Sequence, residues 1–463
     1  MRTVLTVGLW SALIFAPVTA WAQQGVPVVN LPAASARSSE TFGAILGLHQ
    51  ASDGKVLVND ALRRQMRLVD ASLASSTIVL DSGSGSTRSY GRRPTPLIPF
   101  LGDSSLFADW NSRTVIVLDG HGQVVRTLAL PRPQDMVALN ASSSGFDTKG
   151  RLIYRGGRAE VRGSGPGSPA PVMGVVDSLP ILRADLESRR VDTIARISRP
   201  AMKLTTQKAS DGAITTIYTP DPLQAADDWA LLSNGSVAIV RGHDYHVDWI
   251  SPDGAMSSTA KLPFDWKRLT DDDKQKLSDS LRGAQNPLLE KGYPAAELTL
   301  RGPMSCTPPD GGRGGDGGRG VGRSGGSGEP PPSDAKCFER LMSVIPQVGA
   351  PLLTRPSMPP LADLYRPNPI PDYAPPIRVN ASMPDLDGNA WILPRMSTLS
   401  QNGELVYDVV NAKGELFERV RLPLGRAIVG FAKSGVVYLT SGDMTNGFHL
   451  ERTTLGARGA AKK

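Results

Sequence analysis

Asp228 to Phe264 reads DWALLSNGSVAIVRGHDYHVDWISPDGAMSSTAKLPF, short apolar runs separated by turn residues. Trp229 to Leu232 is the first run. Asn234-Gly235 follows, a strong hairpin signal, because a type I′ turn needs φ > 0 at both central residues. Val237 to Val240 is β-branched, Gly242 to Asp244 turns the chain, and Val247 to Ile250 is the third run. Pro252-Asp253-Gly254 leads into Met256 to Leu262. Four short antiparallel strands with a glycine turn at each reversal match one propeller blade.

The rest of the chain repeats this unit imperfectly, which predicts an all-β, six-bladed β-propeller of four-stranded antiparallel blades over 41–455. Blade 1 spans Thr41 to Asp81, with strands at Phe42 to Leu48, Lys55 to Asn59, Met66 to Val69 and Thr77 to Leu80. Blade 2 spans Pro96 to Pro131. Blade 3 takes Met136 to Ala141 as its first strand and Arg151 to Arg155 as its second. It is interrupted by the Gly/Pro/Ser loop Gly156 to Pro171 and finishes with Leu179 to Asp185 and Val191 to Ile197. A further strand pair is expected around Asp211-Gly212. Blade 5 takes Ile377 to Val379, Asn389 to Leu393, Glu404 to Val410 and Leu416 to Leu422. Blade 6 spans Ala427 to Leu455. Of the N-terminal segment 23–40, Val26 to Leu31 is the strand expected to complete the last blade, since a terminal strand protects a final open edge.

An insertion over 266–376 separates blades 4 and 5. It opens with a helix signal, Thr270 as N-cap and Asp273 three residues on, as in a capping box. Asp271, Asp272 and Asp273 suit the positive end of the helix dipole, and on a helix they point in different directions, so capping accounts for them better than a metal site does. The low-complexity loop 310–332 has three Arg against three acidic residues (Asp310, Asp316, Glu329), so its Arg-Gly steps form no basic tail. It reads as a linker. A second helix is expected over Asp334 to Ile345, stopped by Pro346. A Pro-rich stretch follows, and the tail 456–463 has no pattern.

Residues 1–22 have the pattern of a cleaved signal peptide: Arg2, the apolar run Val4 to Phe15, and Ala20-Trp21-Ala22 as the cleavage site. That predicts export, to a periplasm or out of the cell. No other segment is long and apolar enough to span a bilayer. Cys306 and Cys337 are the two cysteines, and in an oxidising compartment they are expected to pair. The formal net charge is +7, but the basic residues are scattered, which argues against a nucleic-acid surface. His243 and His246, three apart, fall on opposite faces of a strand and do not chelate together unless the turn bends them.

Ser52-Asp53-Gly54-Lys55-Val56-Leu57-Val58, Asp177 to Arg183, Trp229 to Gly254, Leu262-Pro263-Phe264 and Tyr373 to Ile377 running into Asp387-Gly388-Asn389-Ala390-Trp391 resemble exported bacterial six-bladed propellers of the NHL-repeat type, with a TolB-like or gluconolactonase-like architecture. The resemblance is mainly structural, and many such proteins have no assigned biochemical function. Calcium-dependent lactonases of the gluconolactonase type hold a metal in the channel with Glu, Asn and Asp from separate blades. What that resemblance implies here is the set Asn59, Asp60, Asp109, Asn140, Asp228, Asn380 and Asp385, oxygen ligands suited to Ca²⁺. Against it, Asp and Asn are ordinary turn residues whose side chains bond the local backbone. Asp385-x-Asp387-Gly388-Asn389 lacks the closing Glu of a calcium loop. No nucleophile elbow or phosphate-cradling loop is present.

Two functions follow as expectations. The first is a non-catalytic, monomeric, cofactor-free exported propeller binding a protein or glycan partner on one face of its ring. The alternative is a Ca²⁺-dependent, lactonase-like hydrolase with its site in the central channel. They differ in whether three or more acidic or amide side chains converge in the channel.

Overall fold

The structure, a computed structural model, describes residues 25–82, 90–91, 95–109, 114–140, 143–157, 160–162, 172–174, 178–198, 203–208, 214–219, 223, 225–266, 268–279, 370–398, 403–443 and 445–456. The leader 1–22, the loop 310–332, the helix expected over 334–345, the Pro-rich stretch before 370, the residues beyond 456 and the Cys306–Cys337 pairing lie outside these residues.

Six four-stranded blades form the propeller ring, and the sheet of blade 5 carries a fifth strand at its outer edge. Blade 4 has the strands Asp228–Leu231, Val237–Arg241, His246–Ile250 and Met256–Ser258, at the positions its turn residues mark out. Each blade begins at the channel and ends at the rim. In blade 4 the three inner strands are almost entirely buried, whereas all three residues of Met256–Ser258 are exposed. Blade 1 is Ile45–Gln50, Val56–Asp60, Gln65–Val69 and Ser76–Asp81. Blade 2 is Leu97–Pro99, Ser105–Asp109, Thr114–Leu118 and Val124–Ala129.

Side chains alternate across a strand, and both faces of a blade are buried against its neighbours. Six apolar clusters result, one in each seam. Val56 and Val58 pack with Tyr438 and Leu450 of blade 6, while Leu57 between them packs with Phe107 and Ile116 of blade 2. Tyr154 joins blade 3 to blade 2, and Ile153 joins it to blade 4. Val240 meets Ile392 between blades 4 and 5, and Trp391 meets Leu439 between blades 5 and 6.

Three sequence expectations need correction. In blade 3 the first strand is Gly145–Phe146, followed by Leu152–Arg155, Ser178–Ala184 and Val191–Ser198. Met136 to Ala141 was expected as that first strand, but Pro133–Asn140 forms a 3₁₀ helix. Pro133 suits a first helical turn because its missing N–H needs no partner there. In blade 5 the first strand is Ser382–Pro384, not Ile377 to Val379. It is followed by Ala390–Ile392, Val406–Val410 and Leu416–Arg421. Ile377 is apolar because it is buried in the core between blades 4 and 5, and Asn380 at φ 61° turns the chain before the strand.

The third correction concerns ring closure. Blade 6 is Arg426–Ala432, Val436–Asp443 and Gly447–Thr454, and Ala36–Arg37 supplies its fourth strand, antiparallel to Gly447–Thr454. Val28–Asn30 does not complete the last blade. It lies parallel to Leu416–Arg421 as a fifth strand on blade 5. Leu31, buried in the seam between blades 5 and 6, fixes that position.

Two hairpins interrupt the ring: Glu160–Arg162 with Val172–Gly174 inside blade 3, and Lys203–Lys208 with Ile214–Thr219 before blade 4. The second is the pair expected around Asp211-Gly212. The capping box at Thr270 forms: its Oγ1 accepts the Asp273 N–H at 3.1 Å, and Asp273 Oδ2 accepts the Thr270 N–H at 3.1 Å. Residues 271–279 are helical behind it. No helix among the described residues is long and apolar enough to cross a membrane.

Candidate functional site

The order of strands gives the ring two different faces. Connections between first and second strands, and between third and fourth, emerge on one face, and none is longer than six residues. Connections between second and third strands, and between blades, emerge on the other. The long connections 82–96, 130–144, 156–177, 199–227, 259–381 and 393–405 all leave from that second face.

The short-turn face is built by a repeated local device. A carboxylate or amide at the first turn position accepts the N–H groups two and four residues on. Asp119 Oδ1 bonds His121 and Gln123 at 2.9 and 2.8 Å, and Asp147 Oδ1 bonds Lys149 and Arg151 at 3.0 and 2.9 Å. Asp385 and Asn411 do the same in blade 5. A glycine at positive φ stands fourth in each of these turns: Gly122, Gly150, Gly388 and Gly414. The spacing Asp/Asn-x-x-Gly-x is visible in the sequence and identifies these four side chains as turn-formers.

Most of the seven residues proposed as oxygen ligands are taken up by the backbone. Asp60, fully buried, accepts the Gly43, Ala44 and Arg63 N–H groups and lies 3.5 Å from the Arg63 guanidinium. Asn59 donates to Leu46 O and Thr95 O and accepts the Tyr90 hydroxyl at 2.7 Å, fastening the connection between blades 1 and 2. Burial raises the Tyr90 phenol to about 12. Asp228, at the start of the first strand of blade 4, accepts the Ser382 N–H of blade 5 at 2.6 Å. Asp109 is half-buried at the end of the second strand of blade 2. Asn380 is an exposed turn residue. Asn140 ends the 3₁₀ helix, and its side chain is outside the described residues. Asp385 lies on the short-turn face, apart from the other six. Its Oδ2 accepts Asn389 Nδ2 at 2.8 Å and the Trp391 indole N–H at 2.9 Å.

Neighbouring first strands approach each other through glycine. A methyl group on Gly47 would stand 2.7 Å from Leu97 O, and one on Gly430 would stand 2.8 Å from Leu48 Cδ1. Beside blade 4, Gly145 gives the same clearance to Leu231, at 3.0 Å. Among the described residues no three His, Cys, Asp or Glu side chains gather where they could hold one metal ion. His246 instead sits 2.6 Å from Asp244 and 3.3 Å from Asp248, and His243 is exposed.

The strongest electrostatic features lie in the seams around blade 4, and of their residues only Asp228 was a candidate from the sequence. Tyr245, fully buried at φ 54°, donates its hydroxyl to Asp408 Oδ2 of blade 5 at 2.5 Å, and Arg419 Nε donates to Asp408 Oδ1 at 2.8 Å. Burial pushes both the Tyr245 phenol and the Asp408 carboxyl above their usual ranges. Arg241 bridges Asp227 and Asp248, each at 2.7 Å. Burial raises Asp228 to about 6, against the pull of the backbone and hydroxyl donors around it.

No protein-family model and no curated protein matches the chain. Similar solved structures include a streptogramin B lyase, 9% identical, covering 91% of this chain and 86% of that one with a TM-score of 0.31. A luciferin-regenerating enzyme is 10% identical over 90% of this chain and 93% of that one, TM-score 0.37. A calcium-binding regucalcin from Agrobacterium tumefaciens is 10% identical over 92% and 96%, TM-score 0.35. At these values they add nothing to the fold, which rests on the chain's own strand pairing.

Proposed function

We propose that this chain is an exported, non-catalytic β-propeller that binds a protein or glycan partner on its loop-rich face. One observation carries the reading: every long connection among the six blades emerges on the same face, while the opposite face is closed by uniform short turns. A rigid scaffold that confines its variable segments to one side presents a binding surface there. The lactonase-like alternative needs free oxygen ligands converging on the channel. Asp60, Asn59 and Asp385 already spend their oxygens on backbone, side-chain and indole donors, and glycine and leucine bring neighbouring first strands together.

The test is an array of glycans and peptides, probed with the intact chain and with variants in which the 156–177 connection is replaced by a short hairpin turn or the hairpin of Lys203–Lys208 and Ile214–Thr219 is excised from the 199–227 connection. The reading expects an array signal that is lost in these variants while their melting temperatures hold. It also expects the signal to survive His121→Ala on the short-turn face. A signal that persists without either connection places the ligand elsewhere and overturns the reading.

A further inference from the structure

We infer that the cleft between blades 3 and 4 on the short-turn face binds a small aliphatic carboxylate, with Arg183 as its counter-ion. The site is on the face opposite the long connections and is independent of the partner-binding reading. The cleft has a volume of about 200 Å³, below the roughly 300–1,000 Å³ of sites for drug-sized ligands, so it admits a ligand of only a few carbons. Ile153, Val237 and Ile250, all buried, and the half-buried Ile194 give it an apolar wall.

Two charged side chains line the cleft, and only one is neutralised. Asp147 accepts two backbone N–H groups through Oδ1, and its Oδ2 lies 2.8 Å from Arg151 Nε and 2.7 Å from Arg151 Nη2. Arg183 stands in the third strand of blade 3, paired with Ile153 on one side and Asp192 on the other. Asp192 is held instead by Arg190 Nε at 3.1 Å. Among the described residues Arg183 makes no ion pair. Its Nη1 reaches only Pro252 O at 3.4 Å, and its buried Nε has no acceptor.

A half-buried guanidinium without an anion leaves costly donors unsatisfied. The planar fork of arginine matches a carboxylate in two parallel hydrogen bonds, and the isoleucine and valine wall suits a short hydrocarbon group. Phosphate fits less well: the lining offers its larger charge one cationic side chain, Arg183, beside the Asp147 carboxylate, with only Thr193 and Ser251 as further polar side chains.

Isothermal titration calorimetry on the full chain tests this with isovalerate, isovaleramide and inorganic phosphate at fixed ionic strength and neutral pH. The expected result is saturable binding of isovalerate, with the amide and phosphate weaker by about tenfold or more, the scale of one charge-assisted pair. Arg183→Met should lose about the same factor and Arg183→Lys should retain part of it. Equal binding of acid and amide overturns the inference without any variant. So do equal binding of phosphate, absence of saturable isovalerate binding, and undiminished binding by a folded Arg183→Met protein.

Discussion

Replacing Asp228 with asparagine should raise stability near neutral pH relative to its effect in acid. Asp228 is 1% exposed and lies where the first strands of blades 4 and 5 meet. Burial lifts its carboxyl from 3.8 to about 6. Between those values the folded protein holds a proton that the unfolded chain has released. Stability therefore falls as pH rises through that window, and the full penalty is present above it. Lifting the carboxyl from 3.8 to about 6 corresponds to roughly 3 kcal/mol. Asparagine carries no charge and has no such penalty. It also loses acceptor capacity toward Ser382, at a cost of about 1–3 kcal/mol that does not depend on pH. The quantity to measure is thus the change in variant-minus-wild-type stability between pH 4 and pH 7.5. Urea unfolding at both pH values should show the variant gaining about 2 kcal/mol on the wild type across the interval, since part of the penalty is already present at pH 4. Parallel pH profiles for the two proteins would refute the assignment of a buried, destabilising carboxylate.

Three further outcomes follow from the seams and the closure. Tyr245→Phe removes the hydroxyl that Asp408 accepts inside the seam between blades 4 and 5 and should cost about 1–3 kcal/mol, read from the urea midpoint; an unchanged midpoint would remove that pair from the account. Gly47→Ala places a methyl group against Leu97 O at φ 100° and should destabilise by about 1–3 kcal/mol or more; a neutral melting temperature would mean that the first strands are not in close approach. Removing residues 1–37 strips the fourth strand from blade 6 and exposes the edge of Gly447–Thr454. Open edges recruit other strands, so the truncated protein should self-associate by size-exclusion chromatography, whereas a monodisperse, equally stable product would contradict closure by Ala36–Arg37.

What the sequence made legible was local. Asn234-Gly235 and Pro252-Asp253-Gly254 encode their turns within a few residues, so blade 4 could be placed strand by strand. First strands of two or three residues, such as Gly145–Phe146 and Ser382–Pro384, are too short to carry a period. The neighbouring Ile377 run and the Met136 run drew the assignment away from them. Closure was misplaced by a few residues for a different reason. Both Val28–Asn30 and Ala36–Arg37 pair with strands near the other end of the chain, and pairing at that separation has no local signature. The same holds for Tyr245 with Asp408 and Asp228 with Ser382, 163 and 154 residues apart. Acids were visible as acids, but the donors that occupy them were not. The turn spacing shared by Asp119, Asp147, Asp385 and Asn411 was available, and it separates Asp385 from a channel ligand.

The most direct measurement is thermal unfolding of the purified chain in Ca²⁺ and then in excess chelator, with a lactone hydrolysis assay alongside. A ligand that binds only the folded state stabilises it by mass action, about 2.7 kcal/mol at a hundredfold excess over its dissociation constant. A binding scaffold whose channel-side acids are already held by its own backbone should show the same midpoint in both conditions and no lactone turnover. A calcium-dependent rise in the midpoint together with lactone hydrolysis would contradict the account and establish a metal-dependent hydrolase.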